Sequence, residues 1–337
     1  VIQKKTKTDI ICEVLDDGEI TSRRHLNLPG KEVSLEAITD QGWEDIKFGV
    51  EMGVDFIALS FVRQAHDVVE LKDFLGKENS KIGVIAKIES YEATKHLGSI
   101  TEASDGIMVA RGDLGAEIPF AQVPRIQHEL IELCSQYRKP VIVATHMLES
   151  MIENPMPTRA EVTDVSHATW QRSDCVMLSG ETAGGRYPLK SVETMVEIVK
   201  QTESDFAQKK GLRNLEVTSE REEFALLAAR MPEDLDDIDA IVVVTRSGEN
   251  AELVSAFRPK VPIFAFTNDT TVRRKMQMVW GVTGFRIDFS ATPNTTIERA
   301  RDNFLKLHPD WKGKKYVLLS DALVEKYFIP TLQIRTF

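Results

Sequence analysis

The feature that most constrains this chain is a series of short, continuously apolar segments, each followed by apolar residues at helical spacing. VDFIALSF (54–61), KIGVIAKIE (81–89), DGIMVARGD (105–113), KPVIVATHM (139–147) and DCVMLSG (174–180) read as strands. DVVELKDFLGK, YEATKHLGSI, VPRIQHELIELCSQY and AEVTDVSHATWQ, which lie between them, read as helices. Unbroken apolar strands that each feed a helix predict a parallel sheet buried on both faces. Five such units occur before residue 200, and each strand ends in a polar or glycine-rich stretch. That end is where barrels and open α/β sheets keep their chemistry. The pattern is compatible with an open doubly wound sheet and with part of an eight-stranded barrel.

The flanks differ in character. Residues 1–26 alternate short β-like runs with an Asp17-Gly18 turn, as the end of a small β domain does. Residues 27–204 hold the β/α units. A charged, loosely patterned stretch follows, and 205–337 read as a second α/β module with strands near 240–245, 261–266, 281–285, 315–320 and the terminal PTLQIRTF. At 337 residues the chain exceeds one ordinary domain.

A net charge of −10 argues against a nucleic-acid or anionic-membrane surface. An anionic substrate still fits, because a metal supplies local positive charge. The three cysteines, Cys12, Cys134 and Cys175, are far apart and predict buried free thiols in a reducing compartment. No apolar run reaches the roughly 18 residues of a membrane span, and no signal peptide is visible, so the expected location is the cytosol.

The chemistry concentrates on two strands. In 81–89, Ile82, Val84, Ala86 and Ile88 share one face, and Gly83, Ile85, Lys87 and Glu89 share the other. Two charges at the end of a buried strand cost several kcal/mol without a partner or ligand. A simple Lys–Glu pair at a strand end explains them equally well. The next strand ends in Arg111, Gly112, Asp113, Leu114 and Gly115, a turn into a short helix. A helix N-cap explains Asp113 alone, but not Glu89 beside it. Two carboxylates from neighbouring strands, completed by substrate and water, describe a magnesium site, with manganese as the alternative ion. The seven histidines show no zinc-like spacing. A lysine beside such a pair suits a transferring phosphoryl group or an enolate. There is no Walker loop and no GxGxxG. Thr145 ends the strand PVIVATHM at the same mouth, and Ser179, Gly180 and Glu181 end the last one, where capping and function are equally good explanations.

At these residues the chain closely resembles the pyruvate kinase family. GVIAKIESYEAT (83–94) looks like that family's active-site signature, and the likeness continues through ASDGIMVARGDLGAEIP, KPVIVATHMLESMIENPMPTRAE and CVMLSGETAGGRYP. It covers 25–204 densely. The resemblance implies an α/β fold built on a TIM-type (β/α)8 barrel with a small β lid domain and a C-terminal α/β domain. It implies transfer from phosphoenolpyruvate to ADP, giving pyruvate and ATP. Lys87 matches the lysine on the transferring phosphoryl group, and Glu89 and Asp113 match the magnesium ligands. Gly112 and Asp113 match the backbone that holds the substrate carboxylate, and Thr145 the threonine near the enolate carbon. Arg24 falls where the family has a basic residue near the nucleotide. The stretch Thr158, Arg159, Ala160, Glu161 matches one associated with subunit contact, and a homotetramer is implied.

Departures from the pattern set further expectations. Only five of eight barrel strands are present, so the barrel is expected not to close, as in part of a longer protein or a fragment. The arginine on the transferring phosphate and the ligands of the family's potassium ion are not in this sequence. VVVTRSGENAELV resembles an effector-phosphate loop, with Thr245, Arg246, Ser247 and Gly248 as candidate ligands, yet Glu249 sets a negative charge there. LLSDALVEKY lacks the glycine-rich turn that clasps a sugar bisphosphate in some members. A non-catalytic ligand-binding relative, or another magnesium-dependent barrel lyase or aldolase, are the competing readings. Intact Lys87, Glu89, Asp113 and Thr145 argue against the first, and the ordered series of motifs against the second.

Overall fold

The computed structural model describes all residues except 16, 20–35, 79, 208–210 and 325–326; for 206–207, 321–324 and 327–328 it describes the backbone only. The chain opens with an antiparallel hairpin of β1 (Ile2–Lys5) and β2 (Ile10–Cys12). Its turn lies at residues 6–9 and not at Asp17-Gly18. Thr6 closes it, donating its N–H to the Asp9 carbonyl (2.8 Å) while its hydroxyl accepts from the Asp9 N–H (2.9 Å). Such side-chain bonds form a turn without glycine. Cys12 is exposed on this hairpin, against the expectation of a buried thiol, whereas Cys134 is buried and Cys175 partly so.

The first module follows in alternation. It runs α1 (Asp40–Met52), β3 (Phe56–Leu59), α2 (Ala65–Lys77), β4 (Gly83–Ile88), α3 (Leu97–Ala103) and β5 (Gly106–Ala110). It continues with α4 (Arg111–Glu117), α5 (Val123–Gln136), β6 (Val141–Ala144), α6 (Arg159–Trp170), β7 (Cys175–Val176), α7 (Gly180–Ala183) and α8 (Pro188–Ala207). Local chemistry sets the helix ends. Thr39 caps α1 by accepting from the Gly42 N–H at 3.1 Å, and Gly53 stops it in the left-handed region at φ 66°.

The five strands pair in the order β3-β4-β5-β6-β7, all parallel. A doubly wound sheet reverses its strand order part-way; this one does not, and sequential order is the barrel's arrangement. The two faces are covered differently. Val84, Ala86, Ile88, Ile107, Val109, Val141 and Val143 pack on Leu71, Ile100, Ile126 and Leu130 of the helices. Ile85, Met108, Ile142 and Ala144 form a separate cluster on the opposite face. Strand alternation assigned these faces to β4 correctly.

The second module comprises α9 (Glu220–Asp234), β8 (Ala240–Val244), α10 (Glu249–Ala256), β9 (Ile263–Thr267) and α11 (Thr270–Lys275). It ends with β10 (Val282–Arg286), α12 (Pro293–Leu307), β11 (Lys315–Val324) and β12 (Tyr327–Thr336). Its sheet has the order β10-β9-β8-β11-β12, parallel except for β12. Here the order does reverse, at β8, and apolar clusters lie on both faces. β11 and β12 pair antiparallel from Lys315 with Thr336 to Val324 with Tyr327.

The modules meet at the N-terminal ends of the barrel strands. Arg274 pairs with Asp55 at 2.8 Å, and Arg258 with Asp174 at 2.9 Å. The second pair is almost wholly buried, at 5% and 6% side-chain exposure. Asp174 also accepts from the Val141 and Trp280 N–H groups at 3.1 and 3.2 Å. Removing one partner of such a pair strands the other charge. Arg258→Met is therefore expected to cost about 3 kcal/mol of stability, read as a lower urea midpoint. An unchanged midpoint would show that this contact carries no weight.

Candidate active site

Strand register brings the predicted residues to one level. Leu59 pairs with Ala86, Lys87 with Met108, and Ala110 with Ala144. Ser60, Lys87, Glu89, Arg111 and Thr145 thus sit at or just beyond the C-terminal ends of four adjacent strands, opposite the second module.

Glu89 is completely buried. One carboxylate oxygen accepts from the Phe61 N–H at 2.8 Å. The other lies 3.1 Å from the Lys87 ammonium but has no well-formed hydrogen bond among the described residues. Lys87 instead donates to the Ser60 hydroxyl at 2.9 Å. A buried, under-bonded carboxylate oxygen is costly unless a ligand completes it. Asp113 lies exposed in the first turn of α4, whose N-cap is Ala110 with no side-chain cap bond, so capping does not account for it. Among the described residues no cluster of three or more His, Cys, Asp or Glu is arranged for a metal. Two carboxylates, one with an oxygen that among the described residues meets only the Lys87 ammonium, fit an ion that takes few protein ligands, as magnesium does.

The third element is a strained turn. Thr145 and His146 both have positive φ, 67° and 54°. A left-handed conformation costs a non-glycine residue about 1–3 kcal/mol, and a β-branched residue adopts it least readily. Phe61, whose N–H holds Glu89, is also left-handed at 52°. The Thr145 hydroxyl accepts from the Gly112 N–H at 2.7 Å and donates to the Ala144 carbonyl at 2.6 Å. The Gly112 N–H expected to be free for a substrate is thus engaged by Thr145.

Sequence reasoning passed over Ser60 and Phe61, although their place after an apolar strand was the available signal. It left Glu181 open. The structure gives Glu181 a packing role, buried and accepting from the Leu148 (3.0 Å) and Ser179 (2.8 Å) N–H groups. Arg24 lies outside the described residues. Two hydroxyls of the 245–248 loop bond nearby backbone: Thr245 accepts from the Gly248 N–H at 3.0 Å, and Ser247 from the Glu249 N–H at 3.3 Å. Arg246 stacks over Phe289, and Glu249 pairs with Arg221.

Two family models match the chain. One, described as pyruvate kinase, barrel domain, covers residues 1–192; the other, pyruvate kinase, alpha/beta domain, covers 222–324. The chain belongs to the pyruvate kinase family. It is 46% identical over 302 residues to pyruvate kinase isozyme G, chloroplastic, of Nicotiana tabacum, covering 89% of this chain and 53% of that protein. A pyruvate kinase of Bacillus licheniformis is 45% identical over 282 residues, covering 82% and 48%. The solved structure of a pyruvate kinase from Cryptosporidium parvum superposes with a TM-score of 0.83 at 33% identity, covering 92% of this chain and 64% of that one. The chain thus spans about half the length of the tobacco and Bacillus relatives. The α/β class and the barrel and α/β domains follow from these matches. Among the described residues no helix is long and apolar enough to cross a membrane.

Within this family fold, Thr158 and Glu161 form a capping box at the start of α6. Burial acts to raise the Glu161 carboxyl, but bonds from Ser150 and Thr158 outweigh it and hold it below the ordinary range. A carboxylate depressed by folding adds stability above its unfolded-state pKa, and loses it as pH falls through the folded value. Glu161→Gln is expected to unfold at lower urea than the parent at pH 7, with the gap closing below about pH 4. A gap that stays constant down to pH 3 contradicts this account.

Proposed function

We propose that this chain forms part of a magnesium-dependent phosphotransferase that moves the phosphoryl group of phosphoenolpyruvate to ADP, giving pyruvate and ATP. The observation that carries the reading is Glu89: buried, held through one oxygen by Phe61, with its second oxygen beside Lys87 and otherwise unclaimed. Glu89 and Asp113 are the residues that would hold magnesium (or manganese), which supplies neutralising charge to the phosphoryl oxygens. Lys87 adds a second positive charge, its ammonium donating to the Ser60 hydroxyl. In-line transfer requires positioning and charge neutralisation, which are what this cluster offers.

The substrate carboxylate is assigned to the backbone at Gly112 and Asp113. There it competes with Thr145 for the Gly112 N–H, so seating the substrate releases the Thr145 hydroxyl. Threonine is a poor acid, and its role in protonating the enolate is to orient a water. Arg24 is assigned to the nucleotide. Family membership supports a homotetramer, a potassium requirement, and the division into 1–26 (lid), 27–204 (barrel) and 205–337 (regulatory). Thr245, Arg246, Ser247 and Gly248 are proposed as the effector loop, and titrating activity with sugar phosphates reads that role. The cytosol is the proposed location; the plastid is the second reading because relatives carry chloroplastic names, and imaging the tagged full-length protein separates them.

A coupled assay of the full-length protein is expected to show magnesium-dependent ATP formation. Lys87→Met is expected to lower kcat by at least about a hundredfold while phosphoenolpyruvate still binds; retained turnover removes Lys87 from its role. Glu89→Gln is expected to raise the magnesium concentration needed for half-maximal rate, and an unshifted magnesium curve would assign the metal elsewhere.

A further inference from the structure

We propose that Arg111 is the positioning residue for Thr145, and through it governs protonation of the enolate without touching substrate. The proposal rests on the reading above that Thr145 serves that step. Arg111 opens α4, yet its side chain leaves the mouth and runs between the strands and the helix layer, where it is 11% exposed. Its guanidinium grips the strained turn from behind. Nη2 donates to the Thr145 carbonyl at 2.6 Å, and Nε to the Ala144 carbonyl at 3.2 Å. Nη1 is anchored on Asp164 of α6 at 2.7 Å and reaches Gln127 of α5 at 3.4 Å. Gln127 is itself fixed by donating to Gln171 at 2.6 Å.

The adjacent residue completes the grip. The Gly112 N–H binds the Thr145 hydroxyl at 2.7 Å, so consecutive residues hold the carbonyl and the hydroxyl of the same threonine. Asp113, the next residue, is the proposed metal ligand. A left-handed, β-branched Thr145 followed by a left-handed His146 persists only where its surroundings over-determine it. Arg111 supplies that constraint with a planar fork that bonds two successive carbonyls, which a lysine cannot reproduce. When the hydroxyl is released on substrate binding, the carbonyl clamp still sets where it points. The step it governs is balanced simply: a water ordered by Thr145 gives its proton to C3 of the enolate, whose π pair forms the C–H bond as C2–O becomes a carbonyl, and solvent returns a proton to the hydroxide.

The test uses full-length protein with Arg111→Lys, Thr145→Val and the double variant. Two rates are measured: ATP formation, and exchange of the pyruvate methyl protons with deuterated solvent in the presence of magnesium and ATP. Arg111→Lys is expected to slow methyl exchange about tenfold while the KM for ADP stays within about twofold. The double variant is expected to be no slower than Thr145→Val alone, because both changes break one unit. Losses that multiply in the double variant overturn the proposal. So does an Arg111→Lys enzyme whose exchange, ATP formation and ADP KM all worsen by one common factor. A crystal structure of Arg111→Lys gives a readout free of activity: Thr145 and His146 are expected to leave the left-handed region, and retained positive φ at both overturns the clamp. If the unaltered full-length protein forms no ATP, the functional reading falls, and that crystal structure alone decides the place of Arg111.

Discussion

Parallel hydrogen bonding between β4 and its neighbours is the constraint on which the first module depends. The Lys87–Met108 and Ala110–Ala144 pairings bring Glu89, Arg111 and Thr145 to a common level at one end of the sheet. Because side chains alternate at period two, a slip of one residue would turn Glu89 into the helix layer and Ile88 into the mouth. The register is pinned at the opposite end by a repeated device. Asp105 accepts from the Val84 N–H at 2.8 Å, and Asp174 from the Val141 N–H at 3.1 Å, each from just before its own strand. Asp239 does the same for Lys315 at 2.9 Å in the second sheet. An aspartate preceding an apolar strand was the sequence signal for this, and it carries meaning only once the neighbouring strand is known.

The ends of the barrel strands serve opposite purposes. At their N-terminal ends charges are paired and buried for cohesion, as between Arg258 and Asp174. At their C-terminal ends the buried Glu89 carboxylate meets, among the described residues, only the Phe61 N–H and Lys87, and no bond ties it to the second module. Backbone strain has the same distribution. Phe61, Thr145 and His146 are left-handed at the mouth, whereas Arg138, Arg172 and Arg258 take that conformation just past the ends of helices. At helix ends it is ordinary termination geometry. At the mouth it stands beside the groups assigned to chemistry, where strain is expected to be kept for function.

The second module shows why a shared β/α pattern does not define a fold. Both sheets alternate apolar strands with helices, yet one keeps sequential order and the other reverses at β8. The proposed effector loop has the strand–loop–helix form read from the sequence, and the structure adds that the Thr245 and Ser247 hydroxyls bond neighbouring backbone N–H groups while Glu249 pairs with Arg221.

The sequence by itself determined the β/α alternation, the face to which Lys87 and Glu89 belong, and family membership, because these depend on local periodicity and on ordered motifs. It also singled out Glu89, since the cost of burying charge is a property of residue type, and the structure buries that carboxylate while Asp113 lies exposed. Only the tertiary structure decided between a barrel-type and a doubly wound order, because strand neighbours are chosen by packing across many residues. It alone showed that one Glu89 oxygen has, among the described residues, only the Lys87 ammonium beside it and that Arg111 grips Thr145 from 34 positions away. Those facts depend on distances between segments that no local pattern encodes.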